Sequence, residues 1–405
     1  MSLERFVARQ PIFAERQNVV GYELLFRASL DNFFGLHDAD LASRAVADHL
    51  FLMGVEVLVG KHRAFINFTR DLLVNDFGLL LPKQTVVVEV LESVVPDDQV
   101  IAACRRLKRA GYQIAFDDLV KVDGVEPLLE LADIFKVDFG QTSPAQRQEW
   151  VDRYRPYGIR MLAEKVETRA DFEAARGWGY HLFQGFFFCR PEMLARRDIP
   201  AFKLNYLRVL QLVNEPELRI EQMEQALKME ASLSYRLLRY LNSPIFGFRM
   251  QINSIRHALM LLGERQIYKW VSMVALVALA DDKPSELVVA CLVRGRFCEL
   301  LASPAGIRRR STDLFLLGLL SLLDVILGRP MDEILAELPV SDDVKAALLR
   351  QGGCLQALYD AVLAYESGDW ERFSELALQM KLNENVVPAL HLRAVEWANS
   401  VFPSL

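Results

Sequence analysis

Over its first 190 or so residues the chain alternates short apolar runs with amphipathic stretches. VVGYELLFR, AFINF, VVVEVLE, YQIAFDD, IFKVD, MLAEKVE and HLFQGFFF have the length and composition of buried strands. Between them stand helical patterns such as DQVIAACRRLKRAGY and VEPLLELA. Strand and helix in alternation predict a parallel β/α architecture. From about Lys203 the strand signals stop. LNYLRVLQLVN, IEQMEQALKM, LSYRLLRYLN and SIRHALMLLG place apolar residues at helical spacing, ended by Asn, Gly or Pro. The pattern predicts an α/β domain over 1–195 and an all-α domain over 196–405, with the boundary near RPEMLARRDIPAF.

Nearly every apolar run of the first half carries a polar residue near its end. These are Glu23, Asn67, Glu89, Asp117 with Asp118, Lys136, Glu164 with Glu167, and Gln184. In a parallel β/α barrel the functional side chains come from the C-terminal ends of several strands. Carboxylates, an amide and a lysine gathered there suit a divalent metal, Mg²⁺ or Mn²⁺ by the hardness of the oxygen ligands, acting on a phosphate ester. Glu92 and Asp138 read instead as helix-start and loop charges.

Composition narrows the field. At 405 residues and 52% apolar content, two well-packed domains are expected. A net charge of −6 argues against a nucleic-acid polymer as partner. The five cysteines are scattered without CxxC spacing, which fits a reducing compartment; Cys291 and Cys298 read as core. WVSMVALVALA and LFLLGLLSLLDVILG are shorter than the roughly 20 residues of a membrane span, and both read as buried helices. No secretory signal opens the chain, so a cytoplasmic protein without membrane attachment is expected.

QPIFAERQNVVGYELLFR, FINFTR, VVVEVLES, AFDD, FKVD, LAEKVET and FQGFFFCRP, in this order, resemble the motif set of EAL domains, the cyclic di-GMP phosphodiesterase fold. The resemblance implies a (β/α)8-type barrel. By it, Glu23, Asn67, Glu89 and Asp117 would be direct metal ligands. Asp118, Lys136, Glu164, Glu167 and Gln184 would position water, a second metal or the ligands, and Arg27 would contact a phosphate of the nucleotide. LRYLNSPIFGF and INSIRHALMLLGERQIYKWV resemble the HDOD domain, a relative of metal-dependent HD hydrolases. RQPIF and the lysine of AEKVE are similar to the subfamily that joins the two domains.

The hydrolase His-Asp pair would fall near Ser321 and Leu322, which cannot hold a divalent metal. His37-Asp38 lies in the other half, His257 reads as a helix residue, Ser243–Phe248 as a core turn and Arg308–Arg310 as a solvated loop. The helical domain is therefore expected to relay to a signalling protein and not to hydrolyse. The barrel departs from the EAL pattern at Leu24 (alanine in the family), at Lys165 (glycine in the family) and over Leu119–Val125, where a Gly- and Ser-rich loop that supports the metals and a homodimer is replaced. Lys136 to Glu164 is also a shorter interval. Three functions stay open: a signalling protein that binds or slowly hydrolyses cyclic di-GMP, an active phosphodiesterase, and a protein-interaction scaffold in which Lys136 or Lys165 satisfies the carboxylates.

Overall fold

The computed structural model describes residues 6–27, 55–117, 129–185, 206–207, 209–210, 220–229, 235, 238–242, 252, 254–338 and 340–404. The chain forms two compact units, one on Met1–Arg190 with Glu366–Gly368, the other on Pro191–Tyr365 with Asp369–Leu405.

In the first unit, β1 (Phe6–Ala14) and β2 (Val19–Arg27) pair as an antiparallel hairpin. From β2 onward each strand runs parallel to the next: β3 (Arg63–Phe68), β4 (Val86–Val90), β5 (Gln113–Phe116), β6 (Ile134–Asp138), β7 (Arg160–Glu164) and β8 (Leu182–Gln184). β8 returns to β1 antiparallel and closes the barrel. Helix α1 (Val55–Val59) precedes β3, and α2 (Arg70–Val74), α3 (Asp98–Ala110), α4 (Pro144–Tyr154) and α5 (Arg169–Trp178) are crossover helices among the described residues. α3 shows how locally these connections are specified. The Asp97 carboxylate accepts from the amides of Gln99 and Val100 at its start, and Gly111, at φ +93°, ends it.

Two-residue periodicity sorts the barrel interior into layers. Ile12, Phe65, Val87, Ala115, Ile134, Leu162 and Leu182 make one buried apolar layer. Gly21 completes it from β2, because a Cβ there would lie 2.7 Å from the Phe65 ring. One step of the pleat further on, the residues are Asn67, Glu89, Asp117, Lys136, Glu164 and Gln184 on the parallel strands, with Glu23 on β2. Antiparallel β1 contributes Gln10, the register partner of Glu23. A polar layer with one member from each strand or its immediate end thus sits on an apolar floor.

The second unit is helical: α6 (Ile220–Met229), α7 (Ile255–Leu262), α8 (Glu264–Leu279), α9 (Ser285–Leu301), α10 (Ser311–Leu320), α11 (Leu323–Leu327), α12 (Met331–Glu337), α13 (Asp342–Leu348), α14 (Cys354–Ser367), α15 (Trp370–Gln379) and α16 (Val387–Val401). LFLLGLLSLLDVILG is two helices, α10 and α11, broken at Ser321 and Leu322. The Ser321 hydroxyl donates to the Gly318 carbonyl at 2.7 Å, a side-chain bond that competes with the helical ladder. Cys291 and Cys298 are buried on α9, His257 is half-buried on α7, and Arg308–Arg310 form a 3-10 turn in which Arg310 pairs with Asp313 and Asp343. Among the described residues no helix is long and apolar enough to cross a membrane.

Candidate functional site

Lys136 is the centre of the polar layer. It rises from β6 with 1% of its surface exposed, and its Nζ lies 2.6 Å from Glu164 Oε1 and 3.3 Å from both Glu23 Oε2 and Asp117 Oδ1. It also pairs with Glu89 Oε1. Glu23 is held from its other sides: Asn67 Nδ2 donates to Oε1 at 3.1 Å and Gln184 Nε2 to Oε2 at 2.8 Å. Gln184 donates as well to Gln10 Oε1 at 3.0 Å. Seven of the ten residues singled out from sequence therefore come together: Glu23, Asn67, Glu89, Asp117, Lys136, Glu164 and Gln184.

Of the other three, one is exposed and two have side chains outside the described residues. Glu167 is exposed, beyond buried Val166, and is not among the carboxylates on Lys136. Asp118 lies outside the described residues, as do the replaced loop at 119–125, His37-Asp38 and the Ser243–Phe248 turn. Arg27 ends β2, but its side chain is also outside the described set. Gln10 is a member of the layer that the sequence analysis did not name. Its signal was present: in RQPIF it falls two residues before buried Ile12, on the same strand face.

The electrostatics of the layer are unbalanced. Among the described residues four carboxylates face one ammonium, a formal −3 when all are ionised (four negative, one positive). Burial pushes Glu89 well above the ordinary carboxylate range, and the neighbouring Glu23, Asp117 and Glu164 push it further than Lys136 can pull it back. Burial also raises Glu164, to about 8, against the attraction of Lys136. Glu23 goes the other way: burial would raise it, but Lys136, Gln184 and Asn67 together hold it below its usual value. For Lys136 burial works against the charge, and the surrounding acids overcome it and raise its pKa well above normal. Two of the acids are thus pushed toward the protonated form for want of positive charge.

This arrangement fits a divalent cation. One oxygen from each of Glu23, Glu89 and Glu164 lies within 4.8 Å of the others, and ligands on opposite sides of a Mg²⁺-sized ion, with bonds of about 2.1 Å, stand about 4.2 Å apart. Asn67 Oδ1, Glu89 Oε2 and Gln184 Oε1 are buried without a hydrogen-bond partner. Such orphaned acceptors are costly unless something positive meets them. A cation of charge +2 would bring the formal sum from −3 to −1.

A second, smaller cluster borders the layer. Asp138, read from sequence as a loop charge, is 1% exposed at the end of β6. Its Oδ1 accepts from the Gly140 amide at 2.6 Å, and its Oδ2 from Gln141 Nε2 at 2.9 Å and from Lys165 Nζ at 2.5 Å. These bonds outweigh burial and lower its pKa. Glu92, read from sequence as a helix-start charge, is exposed in the turn after β4, ahead of α3, which starts at Asp98.

In the helical unit, the position of the hydrolase pair is closed by packing. Ser321 accepts from Arg294 Nη1 at 2.8 Å while donating to Gly318, and Leu322 is buried.

The family model for the EAL domain matches residues 3–191 and that for the HDOD domain residues 199–338. The chain is 34% identical to the uncharacterized protein YuxH of Bacillus subtilis over 405 residues, covering 98% of each. It is 32% identical to the cyclic di-GMP phosphodiesterase CdgJ of Vibrio cholerae over 400 residues, covering 98% of this chain and 93% of CdgJ. Among solved structures, the manganese and cyclic di-GMP complex of Klebsiella pneumoniae BlrP1 is 27% identical, over 46% of this chain and 56% of that one, with a TM-score of 0.39.

Proposed function

This chain belongs to the family in which an EAL domain is followed by an HDOD domain, and from that membership we propose that its barrel takes cyclic di-GMP at the polar layer and hydrolyses it with Mg²⁺ or Mn²⁺. The observation that carries the reading is the surplus of buried acid around Lys136, with three carboxylate oxygens at metal-binding separation. Glu23, Glu89 and Asp117 would hold the cation through their carboxylates, and Asn67 through its now orphaned Oδ1. Such an ion supplies Lewis-acid charge at the phosphoryl group and makes water more acidic. Glu164, which burial makes a stronger base than an ordinary carboxylate and which a nearby cation would return to its ionised form, would accept the proton of the attacking water. Lys136, released from some of its four acids, would stabilise charge building on the phosphoryl oxygens. Gln184 and Gln10 keep Glu23 aimed.

One observation favours a second reading. Lys136 already touches all four acids, as an internal counter-ion would in a barrel that never takes a metal. Calorimetry separates the two. Cyclic di-GMP is titrated into the chain with Ca²⁺ to suppress turnover, then incubated with Mg²⁺ or Mn²⁺ while linear product is followed by chromatography. Binding followed by product, with both metal dependence and product lost in Glu89→Ala, supports the phosphodiesterase. Binding without product leaves a sensor, and no heat in any metal leaves the scaffold. The HDOD domain is proposed to relay the barrel's state to a signalling protein.

A further inference from the structure

Lys165 stands where the EAL pattern has glycine, and its backbone explains the glycine: φ is +52°, in the left-handed region that costs any other residue energy. The segment cannot relax out of it. Glu164, on one side, is fixed by Lys136, and the Val166 amide, on the other, donates to the Gln184 carbonyl at 3.0 Å. Next to that bond, a Cβ on Gly185 would lie 2.1 Å from the Val166 carbonyl oxygen. The lysine is thus kept in a strained place at the rim of the polar layer, with its side chain 64% exposed.

Asp138 does not depend on it. Asp138 Oδ1 retains the Gly140 amide and Oδ2 retains Gln141 if Lys165 leaves. The ammonium can therefore be withdrawn without stranding a buried acid. Among the described residues the layer beside it, with a divalent ion and all four acids ionised, keeps a formal −1 (four negative, one lysine, one ion of +2), and a cyclic dinucleotide would bring two further anionic phosphates to it.

We infer that Lys165 is a ligand-binding residue whose ammonium leaves Asp138 to contact a non-bridging phosphate oxygen of the cyclic dinucleotide. The inference rests on the nucleotide reading above. Calorimetry of the full chain with cyclic di-GMP and Ca²⁺ tests it, with Lys165→Gly, Lys165→Arg and Asp138→Asn as variants. Lys165→Gly should weaken binding about tenfold at low ionic strength, with the gap narrowing as salt screens the contact. Lys165→Arg should keep most of the affinity, and Asp138→Asn, which removes that ion pair, should tighten binding. The glycine variant relieves the strained φ, so its melting temperature should stay near that of the parent and loss of fold will not mimic loss of contact. Affinity unchanged in Lys165→Gly overturns the inference. So does equal weakening in Lys165→Gly and Asp138→Asn, which would make the lysine a clamp between strand ends. No heat from the unsubstituted chain removes the nucleotide reading, and this inference with it.

Discussion

The two units bury polar groups in opposite ways. In the barrel, four carboxylates converge on one ammonium, two of them are pushed toward protonation, and three buried acceptors have no partner. Where a hydrolase pair would lie in the helical unit, Ser321 both accepts from Arg294 and donates to Gly318, so its hydroxyl is satisfied as donor and as acceptor. The helices there also approach backbone to backbone: a Cβ on Gly318 would come within 2.5 Å of the Arg294 carbonyl oxygen, and one on Gly295 within 2.9 Å of the Phe315 carbonyl oxygen. Buried polarity alone is therefore no sign of a site. What distinguishes the barrel is unbalanced charge and unmet acceptors, a state that an added cation improves; the helical contact is complete, and has no room for one.

The hardest test of that contrast is Lys136→Met. Removing the ammonium shared by two buried and two half-buried acids should lower the stability of the metal-free chain by about 3–5 kcal/mol, the range for breaking a buried ion pair. Ca²⁺ or Mn²⁺ should then restore more stability than it adds to the parent, since the ion replaces the lost charge. Thermal unfolding with and without EDTA reads both effects. Equal melting temperatures of variant and parent in EDTA, with equal metal shifts, would mean that the layer is not short of positive charge. On the helical side, Gly318→Ala forces a methyl against the backbone of α9, and neither helix can yield by turning a side chain. A cost of about 1–3 kcal/mol is expected, with no change in how the melting temperature responds to metal. A neutral substitution would show that the helices have slack at that crossing.

Much of this was legible in the sequence because a buried parallel strand has few ways to look. Runs such as VVVEV and IFKVD contain one polar residue in an apolar field, and the two-residue period sends that residue to the same interior as its apolar neighbours. The EAL and HDOD motif orders supplied the rest of the architecture. Gln10 escaped because Pro11 interrupts its run and proline argues against a central strand; β1 in fact pairs on both sides, with Pro11 opposite Tyr22. Asp138 escaped because the end of a strand reads as a loop, and only the tertiary approach of Lys165 and the turn at Gly140 shows it to be buried. The break of LFLLGLLSLLDVILG at Ser321 depends on one hydroxyl bonding Gly318 instead of facing solvent, a choice that helical periodicity does not encode. The convergence of Asn67, Glu89, Asp117, Glu164 and Gln184 on Lys136 and Glu23 depends on closure of the whole barrel.

The finest prediction concerns protons in the same layer. An unfolded glutamate gives up its proton near the ordinary value of 4.5, whereas Glu164 in the fold holds it to about 8. Between these values the folded chain binds more protons than the unfolded one, so raising the pH favours unfolding. The contribution of Glu164 is fully present below 4.5, declines as pH rises toward 8, and is flat beyond. Glu89 acts in the same sense, and Glu23, whose pKa is lowered, acts in the opposite sense at acid pH. His62, also lowered in the fold, favours folding as pH rises through its range, so the parent curve alone mixes several groups. The difference between the parent and Glu164→Gln isolates the one of interest. In EDTA the parent should lose melting temperature relative to Glu164→Gln between pH 5 and 8. Saturating Ca²⁺ should shrink that loss, because cation binding favours the ionised acid and strengthens over the same interval. A parent that holds level with Glu164→Gln, or gains on it, as pH rises in EDTA would mean that Lys136 alone neutralises the layer, and the barrel would then resemble the satisfied contact at Ser321 more than a site waiting for a metal.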